Sequence, residues 1–581
     1  VNHRDGFLTR AAAQGSPAIM AAELVDDPRL AGLALREAWR RARRVARAPW
    51  LSILPGMGPD RILAVPREFR HGDMATAETI YAGDFHLAGH RVEITDTSPF
   101  ERRDAPLAWQ AELYGFSWLR HLSEMQDALA AENARALVDD FMGLPRRRRS
   151  PVCTAPEVMA RRVISFLTHC PIVMAQGKDE FRGRFLDLIA AEARYLRRIA
   201  PEVTDGMPRL MVRIALAYAA LCIHAHAHQM KTAAQNVSDE LDRQIFPDGG
   251  HVSRNPETIV EILSLLLPLR QLFSQRQQPV PRSLLAAIDR MLPALRFFRH
   301  ADGALALFNG ATSGSQALML ALLRFDETLG EPVSHMRQTG YHRLAQGNCT
   351  LVADTGVAPE GALSVDAHAG TLAFEFSSGA RRLIVNCGAP PKAEAAWRRL
   401  ARSTAAHSTL TVADHSSSRF ARSRLIDRFL GSPLVSGPTK VVAERQEKAD
   451  GLHLSMAHDG YRANFGLVHE RDLFLSRDGR LVEGWDRLFR SNRPARGRAG
   501  NAVAETHVRF HLHPDVEAEI AGSGIRLFAG GEVWWFFADG APALEESIFF
   551  ADPRGARRTR QIVLTFGDNQ AELHWRLERR L

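Results

Sequence analysis

Cysteine is scarce in this 581-residue chain. The five present, Cys153, Cys170, Cys222, Cys349 and Cys387, are odd in number and widely spaced. That argues against a disulfide framework and against a zinc site built on cysteine. Long apolar runs are missing as well: none reaches the roughly 18 residues that mark a membrane span. The longest candidate, Ile259 to Leu269, is interrupted by Glu261, Ser264 and Pro268 and reads as a buried helix. The first residues, Val1 to Pro28, lack the ordered basic, apolar and small-residue segments of a secretory signal.

What remains is an ordinary globular composition, 45% hydrophobic and 24% charged, with length for two or more domains. The formal charge is +8 and the pI about 9.5. Such a balance suits an acidic partner (nucleic acid, anionic lipid or a uronate polymer), or simply a surface with surplus arginine. Arg40, Arg41, Arg43, Arg44 and Arg47 fall on an expected amphipathic helix, and Arg146 to Arg149 on an expected loop. Neither cluster lies in a nucleic-acid module, so no nucleic-acid partner is expected.

Residues 1–100 read as an extended lead-in: a basic helix, a Pro/Gly-rich piece from Pro49 to Pro66, then short strands around His86 to Thr95. Residues 101–335 carry the helical period. Phe185, Ile189 and Leu196 share a face, and breakers recur at Pro201, Asp205-Gly206, Pro247 to Gly250 and Pro279. Many helices with short links suit a bundle, solenoid or toroid. Residues 336–581 switch to period two, as in Leu372, Phe374 and Phe376, and in two strands around Gly530-Gly531. The expected fold class is multidomain α+β: a helical half, then an antiparallel β-sandwich, with the boundary near 325–345 and a cleft between them.

Several positions invite chemistry. His368 and His407 each precede a strand, and Asn386 ends the strand between them. Matched strand ends can bring two imidazoles and an amide oxygen to one point, able to hold a divalent metal such as zinc. The alternative is that they cap strands and bond to backbone. His224, His226 and His228 alternate along an expected helix running from Tyr218, where residues two apart face different ways, and read as structural. The turn Asp248 to Pro256 places His251 and Arg254 between two helices, facing either the cleft or solvent. Trp109, with Tyr114, Phe116 and Trp118, could stack on sugar rings, though at this spacing aromatics are more often core.

Taken together, His368 to Phe376, Leu383 to Gly388, Arg402 to Leu410, His458 to Tyr461, His469 to Arg471 and Arg509 to Pro514 resemble the heparinase II/III-like C-terminal domain. Trp109 to Leu122, Asp248 to Pro256 and Phe308-Asn309-Gly310 resemble that family's incomplete (α/α) toroid. The resemblance implies a periplasmic or cell-envelope lyase acting by β-elimination on an acidic, glycosaminoglycan-like polysaccharide. The absent signal leaves the cytoplasm open. A base removes the proton at C5, oriented donors stabilise the enolate, and an acid assists the leaving oxygen.

The departures from the family pattern are specific. After Asn255-Pro256-Glu257 the expected Tyr is replaced by Thr258, and Asp205 to Arg209 lacks the carboxylate-neutralising Asn or His. Asp366 stands at the usual catalytic histidine position, and Asn386 replaces a metal-binding aspartate. The expectation is therefore a rearranged set. His251, Arg254, His368 and Asp366 are catalytic candidates. Arg209, Trp109 and Asn309 are expected to contact substrate. His368, Asn386 and His407 would hold metal weakly or not at all. The rival expectation is a lyase-fold protein that binds an envelope polysaccharide without cleaving it.

Overall fold

The computed structural model describes residues 17–47, 59, 61–95, 97–223, 227–326, 332–390, 395–490, 505–567 and 570–580. Local chemistry starts the helices where polar caps and prolines coincide. Asp27 accepts bonds from the N–H groups of Arg29 and Leu30 at 2.9 and 3.3 Å and opens the helix Pro28–Ala46. Asn255 does the same for Pro256–Gln275 through the N–H of Glu257 at 2.9 Å. Pro268 sits inside that helix rather than ending it.

The helical half runs from Leu107–Gly115 to Gln316–Leu323 as short-linked helices. Met207–Cys222 is buried on nearly all sides, from Leu210 to Cys222 with Arg213 as the break, so it sits inside the ring and its neighbours pack around it. The helix expected to run from Tyr218 through His228 in fact ends at Cys222, and a new one, Ala227–Gln244, begins beyond it. His224 and His226 lie outside the described residues, and His228 is exposed.

The second half is two stacked antiparallel sheets. Among the described residues, one has eight strands, from Val441–Glu447 at one edge to Glu517–Ala521 at the other, with the last strand, Glu572–Arg580, in its middle. The other has nine and begins at His335–Met336. Period two decides what faces inward: Gly451–His458 buries Leu452, Leu454 and Met456 and turns His453, Ser455 and Ala457 outward. Between the sheets Phe374 stacks on Trp575 at 5.6 Å, with Phe510, Phe536 and Trp534 nearby. Trp109, expected at a sugar site, is fully buried in the helical core, and its indole N–H donates to the carbonyl of Phe85 at 3.1 Å. Its apolar neighbours explain the correction: the aromatic spacing belongs to packing.

Among the described residues, no helix is long and apolar enough to cross a membrane.

Candidate functional site

The two halves meet along a seam of buried polar contacts, and a cleft of about 2100 Å³ opens beside it. The turn Asp248–Pro256 forms both. Arg254 adopts a left-handed φ of 61°, which aims its side chain into the sandwich instead of the cleft. There its guanidinium pairs with Asp354 and donates to the carbonyls of Thr339, Gly340, Gly356 and Val357. It also lies 4.8 Å over the ring of Tyr341. Asp248 mirrors this by accepting the N–H groups of Gln338 and Thr339 at 2.7 and 2.8 Å.

Asn309 closes the same seam. Its amide nitrogen donates to the Tyr341 hydroxyl at 2.6 Å and to Asp354 at 3.2 Å, and its oxygen accepts from the N–H of His368 at 3.1 Å. Arg209 caps its own neighbourhood, on the Val203 carbonyl and on Asp205. Arg254, expected in catalysis, and Asn309 and Arg209, expected to contact substrate, are joined to the protein's own acceptors. For Arg254 and Asn309, reaching a ligand would break bonds already made in a dry environment, whereas Arg209 pairs with Asp205, whose side chain is 49% exposed.

His251 lines the cleft, yet only 1% of it is exposed. Its Nδ1 accepts from the Ser253 N–H at 3.1 Å, so Nε2 carries the proton and donates to Gln244 at 2.8 Å. Burial pushes this imidazole down to about 4. It is neutral, with both ring nitrogens turned inward, and offers the cleft no free lone pair. Asp366 is the opposite case: its side chain is 64% exposed on the cleft wall, 3.9 Å from Arg398.

His368 and His407 do come together, with ring nitrogens 3.1 Å apart. His407 Nδ1 donates to the Ser403 carbonyl at 2.7 Å, which leaves Nε2 to accept from His368 Nδ1. Gly370 follows from this pair: a Cβ there would lie 2.6 Å from the His407 ring. Asn386 binds the N–H of Ser408 through its oxygen at 3.0 Å, and among the described residues its buried amide nitrogen has no partner. The donor set fits a metal poorly. It contains no carboxylate, His407 already uses its lone pair, and the amide is committed through its oxygen. Neither His368 nor His407 lines the cleft. Among the described residues no group of three His, Cys, Asp or Glu is placed to hold a metal ion.

A third wall of the cleft went unread in the sequence. The basic helix Pro28–Ala46 supplies it, through Arg29, Leu33, Arg36, Arg40 and Arg44 at helical spacing. The signal was present in that spacing, but nothing local says which domain the stripe would face.

Buried histidines make a testable statement about acid. Burial drives His251 and His407 down to about 4 and His511 to about 3. In the unfolded chain each titrates near its ordinary 6.5. Below that value the unfolded state binds more protons, so stability is full at neutral pH and falls as pH drops from about 6.5 towards 4. Each group contributes up to about 1.4 kcal/mol per pH unit across that window. Scanning calorimetry should show Tm falling steadily from pH 7 to pH 5. A Tm at pH 5 equal to that at pH 7 would contradict the assignment of neutral, buried rings.

A helical half joined to an antiparallel sandwich is also the fold of heparinase-type lyases. The chain belongs to the heparinase II/III-like family. The heparinase II/III-like C-terminal domain matches residues 328–576. FtsZ-localized protein C of Caulobacter vibrioides is 32% identical over 530 residues, covering 89% of this chain and 90% of that protein. The crystal structure of heparinase III superposes with a TM-score of 0.67 at 14% identity, covering 87% of this chain and 84% of that one. A mutant of the heparan sulfate lyase HepC from Pedobacter heparinus gives 0.58 at 14% identity, covering 94% and 87%.

Proposed function

We propose that the protein is a lyase-fold scaffold of the division site that holds an acidic polysaccharide in its interdomain cleft without cutting it. The observation that carries this reading is that the expected elimination chemistry is locked away. Arg254, Asn309 and Arg209 are committed to internal partners, and both nitrogens of His251 are engaged. Elimination needs a base with an available lone pair beside the C5 proton and donors on the carboxylate. Asp366 is open to the cleft, but it is itself a carboxylate, already 3.9 Å from Arg398, and repels a uronate. Positive charge for binding persists: Arg29 and Arg36 line the cleft, and among the described residues neither has a carboxylate partner. The division-site element rests on the similarity to a protein whose name places it with FtsZ.

The test is a panel of uronate polymers. Retention on immobilised polymer should weaken with salt, and the ultraviolet absorbance of an unsaturated product should stay flat. A rise in absorbance that disappears in Asp366→Asn would make the protein a lyase and end this reading.

The outer face of Pro28–Ala46 favours a second attachment. Leu35 and Trp39 are 73% and 64% exposed, with Arg36 and Arg43 on the flank. An apolar stripe with an aromatic ring and bordering arginines suits an anionic membrane interface. Sedimentation with anionic-lipid vesicles should be lost in Leu35→Glu/Trp39→Glu; retention in that variant would remove this attachment.

A further inference from the structure

The helix Pro28–Ala46 touches both halves of the molecule along the cleft. Towards the sandwich, Leu30 joins Met20 and Leu24 of the preceding helix, Pro17–Asp26, against Ala421, Ile426, Leu430 and Val435. Glu23 accepts the N–H groups of Arg422 and Ser423 at 2.9 and 3.1 Å. Arg41 reaches the Phe429 carbonyl at 2.7 Å and lies 4.2 Å over that ring. Towards the helical half, Arg40 pairs with Asp205 at 2.9 Å, and Arg43 and Arg47 share Glu202 at 3.1 and 2.9 Å.

These attachments are shallow. Within the helix Pro28–Ala46, Leu30 and Glu37 are the buried residues. The arginines that pair across to the helical half keep 22%, 44% and 35% of their side chains exposed. The Arg40–Asp205 pair, with 49% of the carboxylate side chain exposed, holds weakly and is screened by salt, whereas Glu202, 7% exposed, grips Arg43 and Arg47 more firmly. The seam beneath them is different, because Arg254 and Asp354 are almost completely enclosed. Two helices with a thin apolar footing and salt-sensitive pairs belong to the low-stability end of a fold, able to open while the body stays folded.

We propose that Pro17–Asp26 and Pro28–Ala46 form a detachable strap that closes the cleft, and that an acidic polymer opens it by taking the place of Asp205 on Arg40, the strap pair that lines the cleft. The exchange is balanced in kind: a carboxylate of the polymer replaces that of Asp205, which keeps Arg209 as its partner. The proposal rests on the cleft being the polymer site. The strap motion itself, however, can be read without any polymer.

The experiment uses the full chain carrying Thr258→Cys, at a half-buried position on the cleft wall. The five native cysteines are buried, and because Cys153 lines the same cleft the parent chain is labelled in parallel and its rate subtracted. Reaction of the new thiol with a maleimide should accelerate with added salt. It should also rise by roughly tenfold or more when Glu202→Arg and Asp205→Arg are added, because one exposed pair and both pairs to the enclosed Glu202 are lost together. Hydrogen exchange across Pro28–Ala46 should rise in parallel while Met207–Cys222 stays protected. Polygalacturonate at low salt should raise strap exchange in the parent chain. A labelling rate unmoved by both salt and charge reversal overturns the strap. If the reversed variant fails to fold, the salt series on Thr258→Cys alone decides, and a flat series overturns it. If labelling responds to salt but polygalacturonate leaves exchange unchanged, the polymer-exchange half of the proposal is overturned, and with it the binding assignment, while the strap stands.

Discussion

Arg471→Met should lower the unfolding temperature by on the order of 10 °C, the consequence of losing about 3–5 kcal/mol in a sandwich of this size. Arg471 and Asp486 lie on adjacent strands, fully buried, with Arg471 Nε 2.8 Å from one carboxylate oxygen and Nη2 3.1 Å from the other. The remaining guanidinium nitrogen donates to the carbonyls of Leu372 and Ser408, tying one sheet to the loops of the other. His469 Nε2 and the Trp575 indole N–H complete the shell of Asp486 at 2.8 and 3.1 Å.

Burial alone would push the Asp486 carboxyl up, but the charge of Arg471 and the bond from His469 outweigh it and hold the group at about 2. The stability from this depression is fully present above the ordinary value of 3.8 and is lost as pH falls through about 2. Methionine at 471 leaves the carboxylate buried with half its partners gone. Adding Asp486→Asn removes the stranded charge and should recover part of the loss. A single variant that melts within about 1 °C of the parent would show that water or rearrangement satisfies Asp486, since an uncompensated buried charge costs several kcal/mol.

Arg254→Lys should destabilise the protein by about 2–4 kcal/mol, while the folded protein keeps the parent's affinity for acidic polymer. Lysine retains the charge but cannot serve Asp354 and four carbonyls at once, because those contacts need the planar fork. Lost bonds to buried carbonyls leave acceptors dry and unpaired. The effect should be local: hydrogen exchange should quicken around Thr339 to Tyr341 and along the turn Asp248–Pro256, where the halves meet. Two measurements separate a weld from a ligand. If Tm is unchanged and polymer affinity drops, Arg254 contacts the glycan and the seam described here is not what holds it.

Much of the architecture was readable along the chain. The switch from helical period to period two near residue 340 needs only local patterning, because a helix buries every third or fourth residue and a strand every second. Gly530-Gly531 placed a hairpin between Gly524–Ala529 and Glu532–Ala538 for the same reason. The meeting of His368 and His407 was expected from strand ends, but their strands, Phe374–Ser378 and Leu410–Val412, are not neighbours in the sheet, and the loops that precede them bring the rings together. The buried pair Arg471 and Asp486 left a weaker trace: charged residues at inward positions of strands otherwise alternating with Leu473, Leu475 and Val482.

What sequence alone determined is therefore the class of each element, the order of the two halves and the family they belong to, all consequences of periodicity and of residues close in the chain. The roles at the cleft were decided by the tertiary structure. His251 and Arg254 sit three residues apart in one turn, yet a left-handed φ at Arg254 sends it into the seam while His251 turns both nitrogens into the helical half. Asn309 became a joint and Trp109 a core residue because of partners 32 to 59 and 24 positions away. The basic helix became a cleft wall through contacts more than 150 residues distant, such as Arg40 with Asp205. A side chain's chemistry is written at its own position. Whether that chemistry is free to act depends on which groups the folded chain brings within bonding distance, and the pattern around the residue does not contain them.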